Sequence, residues 1–342
     1  MENLAAWIKF PKTDVVLETT LKYTPGIGQV LVKVESIGFN PVEPKIQKWS
    51  ALPFKYPGIL GISFAGTVEQ VGPSVTSVKV GDHVVVSKSN EDGDDASFSA
   101  YQKFALARVS RLAKLDQNVS LDAAAVSITN SATVVAALSA KLGLRRPPVT
   151  GKLEPNGKKV LIYGGSSNCG GHAVKYASDA GYEVITTSSP GRKDIVQQLG
   201  PAQIIDHTIP KEQLIERLRS HGPYDAVFDA IGLPAATEIL VAMFGDETVS
   251  YHSTLPPMGP VRVPSNITIN FASYPSLLDQ PENEEIRSWF FETYFPQGLC
   301  NGQILPGAIM KKDRGLNSIQ GILDILLENP TKRFVCNPQD TE

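Results

Sequence analysis

The strongest constraint on the fold is a glycine-rich turn between a short apolar strand and a helix. The run Val160-Leu161-Ile162-Tyr163 leads directly into Gly164-Gly165-Ser166-Ser167-Asn168-Cys169-Gly170-Gly171. Strand and helix patterns then alternate as far as Tyr251. This alternation predicts a doubly wound parallel sheet, with the turn at the carboxyl end of its first strand.

The region before this sheet has a different pattern. Residues 15–109 contain short β-branched runs broken by glycine and proline, and residues 30–37 alternate with period two. That pattern predicts a mostly antiparallel β domain in which residues 30–37 form a half-buried strand. An alanine-rich helix is expected over residues 121–144, and a proline- and glycine-containing loop over residues 145–157.

Composition and charge exclude only a few classes of function. The 342 residues are 42% apolar and 20% charged with a formal net charge of −3, which is ordinary for a globular protein and gives no reason to expect nucleic-acid binding. Residues 123–138 are weakly polar and predict a buried helix rather than a membrane span. The N-terminus lacks a signal-peptide pattern. The three cysteines, Cys169, Cys300 and Cys336, lie far apart in sequence. We therefore expect a cytoplasmic protein without a disulfide framework.

The glycine-rich turn has the features that a dinucleotide pyrophosphate requires. Gly164 can form the tight turn, and Gly170 can let the following helix pack closely on the sheet. Ser166 and Ser167 stand where another fingerprint has its middle glycine, and their hydroxyl and amide groups can bind phosphate oxygens. The spacing is not GxGxxG, so the alternative is a purely structural turn.

The end of the next strand indicates which dinucleotide is bound. An NAD site carries Asp or Glu there to hold the ribose 2′-hydroxyl. Here the segment is Thr186-Thr187-Ser188-Ser189-Pro190-Gly191-Arg192-Lys193, in which hydroxyls and two cations replace the acid. These groups favour the 2′-phosphate of NADP(H), with a basic surface helix start as the alternative.

Three segments of the first β-rich region are the most specific part of the sequence: Ile37-Gly38-Phe39-Asn40-Pro41-Val42-Glu43-Pro44-Lys45, Pro57-Gly58-Ile59-Leu60-Gly61 and Val80-Gly81-Asp82-His83-Val84. Together with the glycine-rich turn, they resemble the medium-chain dehydrogenase/reductase superfamily. The resemblance implies an α/β protein with a GroES-like β-rich catalytic domain and a Rossmann-type doubly wound cofactor domain. It divides the chain into residues 1–125 (catalytic domain), 126–265 (NADP(H)-binding domain) and 266–342 (return to the catalytic domain).

Within that superfamily the chain is most similar to the zinc-free, quinone-reductase-like branch. Where alcohol dehydrogenases carry zinc ligands, this chain has Phe39 and Gly61-Ile62-Ser63. We therefore expect no bound metal. The element Asn40-Pro41-Val42-Glu43-Pro44-Lys45 is similar to that of fungal stand-alone trans-enoyl reductases serving polyketide synthases, with Glu43 in place of their aspartate.

This resemblance implies a set of site residues. Those expected to contact the cofactor are Val42, Glu43, Pro44, Lys45, Gly164, Ser166, Ser167, Asn168, Cys169, Ser189, Pro190, Gly191, Arg192, Lys193, His207, Tyr251, Phe334 and Val335. His207 stands where the family usually has tyrosine, and Phe334 and Val335 are expected near a loop that closes the site. A helix lining an acyl pocket is implied by Thr129, Asn130, Ser131, Ala132, Thr133, Val134, Val135 and Ala136.

The implied reaction is hydride transfer from NADPH to the β-carbon of an α,β-unsaturated carbonyl compound. Lys45 is the candidate catalytic residue, because negative charge develops on the carbonyl oxygen; the alternative is that it only holds a phosphate or ribose. Cys169 is either a redox thiol at a helix N-terminus or a small packed residue. The aromatic cluster at residues 289–295 either roofs a substrate pocket or packs in the core.

Three functions remain open at this point. The first is reduction of an enoyl or enone substrate, which is either free or bound to a carrier; a carrier-bound substrate could be supplied by a polyketide synthase. The second is reduction of a quinone on the same fold. The third is a non-catalytic role as an NADPH-binding partner protein. The prolines in Leu255-Pro256-Pro257-Met258-Gly259-Pro260 cannot donate to an edge-strand ladder, which favours a monomer.

Overall fold

The computed structural model describes residues 2–342 and groups them into two compact units. Unit 1 comprises the chain up to Thr129 together with Arg287–Glu342, and unit 2 comprises Asn130–Ile286. The boundary predicted after residue 265 therefore lies inside unit 2.

Strands make up the sheets of both units. They are β1 (Glu2–Ile8), β2 (Val15–Leu21), β3 (Gln29–Gly38), β4 (Gly58–Ile59), β5 (Ser63–Val71), β6 (His83–Ser87), β7 (Phe104–Arg108), β8 (Leu112–Leu115), β9 (Lys159–Tyr163), β10 (Glu183–Ser188), β11 (Gln203–Asp206), β12 (Ala226–Asp229), β13 (Val249–Ser253), β14 (Ile267–Phe271), β15 (Met310–Lys312) and β16 (Phe334–Cys336).

The α-helices lie between these strands. They are α1 (Val42–Trp49), α2 (Leu121–Val135), α3 (Asn168–Asp179), α4 (Lys193–Gln197), α5 (Lys211–Ser220), α6 (Pro234–Phe244), α7 (Tyr274–Leu277), α8 (Glu284–Ser288), α9 (Phe295–Asn301) and α10 (Ile319–Glu328). Helices α2 and α8 continue into π-helical segments, Ala136–Lys141 and Trp289–Tyr294.

Unit 1 is built on antiparallel β-structure, as the sequence predicts. Its main sheet has the order β15-β16-β3-β5-β6-β8, with β7 also paired to β3, and a smaller sheet has the order β2-β1-β4. Strand β3 is at the centre, since it pairs with β5, β7 and β16. Its last residues lead directly into α1.

Strand β3 is half-buried around Lys33 and Glu35, as its alternating sequence predicts. Val30, Val32 and Val34 face the main core of unit 1, whereas Lys33 and Glu35 on the other face keep partly exposed surface. Leu31 is the exception on that second face, because it packs into a second apolar cluster with Phe98 and is fully buried.

Unit 2 contains a six-stranded parallel sheet of order β11-β10-β9-β12-β13-β14. The chain leaves β9 towards β10 and β11 on one side, and then returns to β12 on the other. The strand order therefore reverses between β9 and β12, which is where such sheets bind ligands, outside their carboxyl ends.

The structure corrects two expectations at the edge of this sheet. Strand β14 was not predicted, because prolines 256–264 obscure the alternating Ile267-Thr268-Ile269-Asn270-Phe271 that follows them. The described sheet therefore ends at β14. The residues from Leu255 to Pro260 form no strand, so the reason given for a monomer does not apply to the actual edge.

The apolar segment predicted as a buried helix forms α2 and the π-helical segment after it. Leu121–Lys141 is long and apolar enough to cross a membrane by length and composition alone. However, 72% of its most apolar window is buried inside the protein. A core helix satisfies the same criterion, so burial within the fold accounts for this composition.

Candidate active site

The predicted pyrophosphate turn connects β9 to α3 in unit 2. Gly164 has φ of +90°, a conformation that favours glycine. The Ser167 N–H donates to the Gly164 carbonyl at 3.0 Å, and the Ser167 hydroxyl accepts from the Gly170 N–H at 3.0 Å. Ser167 is thus the N-cap of α3, which begins at Asn168.

The shape of this turn fits a phosphate group. A Cβ atom added to Gly170 would lie 2.1 Å from the Gly164 carbonyl oxygen, so the helix approaches the strand end as closely as only glycine permits. Ser166 and Ser167 keep partly exposed surface. Asn168 is nearly buried, and its side-chain oxygen has no hydrogen-bond partner among residues 2–342. Free N–H groups at a helix N-terminus and serine hydroxyls are the donors that a pyrophosphate needs.

Two of the hydroxyls predicted for the 2′-phosphate have another role. The Thr187 hydroxyl accepts from the Gly164 N–H at 2.8 Å, and the Thr186 hydroxyl donates to the Ile162 carbonyl at 2.7 Å. Both threonines and Ser188 are buried. The Thr187 hydroxyl attaches the glycine-rich turn to β10, and the Thr186 hydroxyl binds the neighbouring strand β9, so both hydroxyls are engaged within unit 2.

The remaining predicted residues form a short exposed segment beyond β10. Residues Pro190–Arg192 form a 3-10 turn that leads into α4, and no side-chain hydrogen bond caps it at Ser189. Neither Arg192 nor Lys193 has a salt bridge within residues 2–342. The two cations are therefore available to an anion.

His207 and Tyr251 have different environments in unit 2. The His207 N–H donates to the Ser188 carbonyl at 3.3 Å, which holds the exposed His207 beside the end of β10. Tyr251 is completely buried on β13, where its ring stacks on Phe244 with centroids 6.0 Å apart. The Tyr251 ring is therefore enclosed in the core of unit 2.

Asp229 is a buried acid that the sequence analysis did not assign to the site. It ends β12, and its Oδ1 accepts from the N–H groups of Ile231 at 2.9 Å and Gly232 at 3.0 Å. Burial raises the pKa of this carboxyl to about 6. The sequence signal for this arrangement was an aspartate at the end of a predicted strand. Aspartate side chains often accept hydrogen bonds from backbone N–H groups two or three residues later, here those of Ile231 and Gly232.

Cys169 does not have the surroundings of a redox thiol. Burial raises the pKa of this thiol to about 12, although it lies in the first turn of α3. Reactive thiols have lowered pKa values. The structure therefore favours the alternative of a small packed residue.

Val42, Glu43, Pro44 and Lys45 lie in helix α1 of unit 1, not in the loop that the resemblance implies. Prolines in the first turn of a helix are tolerated, because N–H groups there have no helical acceptor. The Lys45 side chain is half-buried, and it has no hydrogen bond or salt bridge among residues 2–342. Burial lowers the pKa of Lys45. An unpaired ammonium group in partly desolvated surroundings is suited to stabilise a nearby negative charge.

The Glu43 carboxylate points into the core of unit 1. It accepts hydrogen bonds from the Asn40 N–H at 2.7 Å, the Ile62 N–H at 3.0 Å and the Tyr101 hydroxyl at 2.7 Å. Its side chain is 0% exposed, so it has no surface left for a cofactor. The nearby Asn40 amide donates to the Ser63 hydroxyl at 3.0 Å. Sequence spacing gave no signal for the contact with Tyr101.

Phe334 and Val335 are buried residues of β16. Val335 pairs with Gly38, and the Phe39 N–H donates to the Phe334 carbonyl at 3.2 Å. The structure thus brings Phe334 and Val335 to the end of β3, just before α1. Their backbone supports that end of the strand.

The predicted acyl-pocket residues lie along α2 and the start of the π-helical segment, and the unit boundary divides them. Thr129 belongs to unit 1, where its hydroxyl lies 3.2 Å from that of Ser87. The others belong to unit 2, where Asn130 and Thr133 keep partly exposed surface while the rest are buried. Only the exposed positions can contact a ligand directly.

The aromatic cluster at residues 289–295 packs mainly in the core of unit 1. Phe290, Phe291, Tyr294 and Phe295 are each at most 2% exposed. The ring centroids of Phe290 and Phe291 are 4.8 Å apart. This burial favours core packing over a pocket roof for these four residues.

Residues 2–342 contain no group of three or more His, Cys, Asp or Glu side chains arranged to hold a metal ion. At the positions where alcohol dehydrogenases carry zinc ligands, Ser63 hydrogen-bonds to the Gly38 carbonyl at 2.9 Å and the Ile62 N–H is bound by Glu43. The donors at these positions are thus engaged within the protein.

Comparison with known proteins gives relatives over almost the whole chain. The alcohol dehydrogenase GroES-like domain model matches residues 26–117. A trans-enoyl reductase of Aspergillus japonicus is 29% identical over 335 residues, covering 94% of this chain and 95% of the relative. A trans-enoyl reductase of Gibberella fujikuroi is 28% identical and covers 94% of both chains.

Solved structures share the fold. An alcohol dehydrogenase superfamily protein from Novosphingobium aromaticivorans has a TM-score of 0.79 at 23% identity, covering 99% of this chain and 100% of its own. A quinone oxidoreductase of Pseudomonas syringae pv. tomato has a TM-score of 0.77 at 19% identity, with 98% and 100% covered. A mycobacterial protein in complex with NADPH has a TM-score of 0.74 at 22% identity, with 98% and 100% covered. The chain therefore carries an alcohol dehydrogenase GroES-like domain and has the fold of the medium-chain dehydrogenase/reductase superfamily, with quinone oxidoreductases among its structural neighbours and fungal trans-enoyl reductases among its relatives in sequence.

Proposed function

We propose that the protein binds NADPH and reduces the activated carbon–carbon double bond of an enoyl or enone substrate. The observation that carries the proposal is the unpaired, half-buried Lys45 ammonium in a chain whose relatives include named trans-enoyl reductases. The geometry of the β9–α3 turn supports the cofactor part. The substrate part rests on the relatives and on the charge at Lys45.

The residues of unit 2 suit a dinucleotide. The pyrophosphate would be held by the N–H groups of Ser166, Asn168 and Cys169 and by the Ser166 hydroxyl, since the Ser167 N–H and hydroxyl are already hydrogen-bonded within the turn and α3. The 2′-phosphate would be held by Arg192 and Lys193, whose charges have no partner within residues 2–342. No acid ends β10 itself, which differs from the arrangement that binds the ribose 2′-hydroxyl of NAD. A mycobacterial structural neighbour binds NADPH, in agreement with this cofactor choice.

The residues of unit 1 suit the charge that develops during reduction. When bound, NADPH supplies a hydride to the β-carbon of the unsaturated carbonyl compound. Lys45 then stabilises the negative charge on the carbonyl oxygen by its own positive charge, directly or through a ribose hydroxyl. Water supplies the proton to the α-carbon, which completes the saturated product. No buried acid of the described chain is required for that step.

The test is a panel of acceptors offered to the purified full chain with NADPH. A 2-enoyl thioester, a simple enone and a quinone are compared by the loss of reduced-cofactor absorbance. We expect kcat/KM to be highest for the enoyl thioester, and product analysis to show the saturated thioester. A higher kcat/KM for the quinone would show that the protein is a quinone reductase instead. Tight NADPH binding without oxidation by any acceptor would instead support a non-catalytic role.

A further inference from the structure

A buried hydrogen-bond network fixes the rotation of helix α1. The Glu43 carboxylate receives three donors from three different segments: Asn40 before the helix, Ile62 between β4 and β5, and Tyr101 before β7. Tyr101 is completely buried, and burial beside Glu43 raises its pKa, so its hydroxyl keeps its proton and donates. Charge-assisted hydrogen bonds to a buried carboxylate are among the stronger side-chain interactions.

The segments joined by this network are closely packed. Gly61 has φ of +101°, and a Cβ atom added to it would lie 2.6 Å from Cδ1 of Tyr101. The rings of Phe39 and Tyr101 have centroids 5.2 Å apart. Little space therefore remains for Tyr101 to move. The Glu43 carboxylate is held by Tyr101 and by the backbone N–H groups of Asn40 and Ile62.

Lys45 lies two positions after Glu43 on the same helix. Successive residues of an α-helix are rotated by about 100°, so the two side chains project in nearly opposite directions. When Glu43 is fixed in the core, Lys45 points away from it. Because Lys45 has no partner of its own among residues 2–342, its direction depends on the rotation of α1.

We propose that Glu43 and Tyr101 are positioning residues, which orient the Lys45 ammonium by holding α1 in one rotation. This inference rests on the proposed function for the role of Lys45, and it adds Tyr101 to the residues that govern the reaction. It also gives Glu43 a role that does not require contact with a cofactor.

The first test compares the effect of Tyr101→Phe in two backgrounds. In the protein with Lys45, we expect the change to lower kcat for the enoyl thioester about tenfold and to leave the Kd for NADPH nearly unchanged. In the Lys45→Ala background, we expect less than about a twofold further loss, since Tyr101 acts through Lys45. An equal loss in both backgrounds would mean a general structural role, and no loss in either would also overturn the proposal.

A second test does not depend on activity. Hydrogen exchange of the peptide that contains residues 41–50 is followed by mass spectrometry in the full chain. We expect exchange about fivefold faster or more in Tyr101→Phe and Glu43→Gln, since the glutamine amide cannot accept donors on both sides. Unchanged exchange would refute the network. If the wild-type chain reduced no acceptor while exchange rose as expected, the proposed function would fail but the control of α1 by Glu43 and Tyr101 would stand.

The matched control is Tyr56→Phe. Tyr56 lies in the same unit, and its buried hydroxyl has no hydrogen-bond partner among residues 2–342. Its removal should change neither kcat nor the exchange of residues 41–50. A loss equal to that of Tyr101→Phe would show that any buried hydroxyl deletion loosens unit 1, which would contradict the specific role of Tyr101.

Discussion

Lys45 differs from its neighbour Lys48 on the same helix. Lys48 forms a salt bridge with Asp14, whereas Lys45 has no such partner within the described chain and its pKa is lowered by burial. Removing a charge that acts mainly in the transition state lowers kcat more than ligand affinity.

We therefore expect Lys45→Ala to lower kcat for the enoyl thioester about 100-fold or more. The Kd for NADPH should rise by less than about threefold, as measured by fluorescence titration. Lys48→Ala serves as the control and should leave kcat unchanged. Equal losses of turnover and NADPH affinity in Lys45→Ala would show that Lys45 only holds the cofactor.

We expect Arg192 and Lys193 to control the choice between the two nicotinamide cofactors in the proposed site. The Arg192→Ala/Lys193→Ala double variant should weaken NADPH binding about 10- to 100-fold, since each of the two solvent-exposed charged contacts contributes on the order of 1 kcal/mol and a tenfold loss corresponds to about 1.4 kcal/mol. NADH affinity should be unchanged, because NADH lacks the 2′-phosphate. Lys211→Ala, at a cation already paired with Glu238, is the control. Parallel losses for both cofactors would contradict the assignment.

Sequence spacing predicted local residue roles better than distant ones. Gly164 and Gly170 were identifiable because a turn and its helix lie within one short segment. The hydroxyls of Thr186 and Thr187 were expected to face a ligand, yet they bind the backbone of β9 and of the glycine-rich turn, more than 20 positions earlier in the sequence. Glu43 and Tyr101 are 58 positions apart, and no periodicity in the sequence indicates such a contact.

At the scale of elements, the start of α1 makes the stability of unit 1 depend on pH. Burial raises the pKa of Glu43 from 4.5 to about 7. Between these pH values the folded protein holds a proton that the unfolded chain has lost, so the free energy of unfolding falls as pH rises from about 4.5 to about 7. The stability that comes from the proton on Glu43 is fully present below pH 4.5 and is lost by about pH 7.

We expect Glu43→Gln to remove this dependence. The free energy of unfolding of both proteins is measured by urea denaturation at each pH. The value for the wild type minus the value for Glu43→Gln should fall by on the order of 3 kcal/mol across that pH range. Glu35→Gln, at an acid only partly buried, is the comparison variant and should follow the wild type. A constant difference between wild type and Glu43→Gln at all pH values would contradict the raised pKa.

The prediction of elements failed where prolines were involved. Prolines 256–264 obscured the strand β14 after them. Pro41 and Pro44, in contrast, lie at the start of α1, in positions that do not require an N–H donor. Strand β9 was predicted to within one residue, because its apolar run is short and bounded by turn residues.

At the scale of the whole molecule, the predicted site residues are divided between the two units. Unit 2 holds the glycine-rich turn, Arg192 and Lys193, and unit 1 holds Lys45 with the Glu43 network. The two fold types were predictable from sequence, because antiparallel and doubly wound β-structures have different periodic patterns. The boundary between the two units was harder to predict. Residues 266–286 belong to unit 2 because β14 pairs with β13, and the sequence does not show this pairing.

Direct titration of the purified full chain with NADPH and NADH decides whether the turn after β9 binds a nicotinamide dinucleotide. Calorimetry measures both affinities without any assumption about the substrate. We predict one NADPH site per chain, with NADH binding at least about tenfold more weakly because it lacks the 2′-phosphate. Absence of binding by both cofactors would contradict the assignment of unit 2, and equal affinities would contradict the role of Arg192 and Lys193.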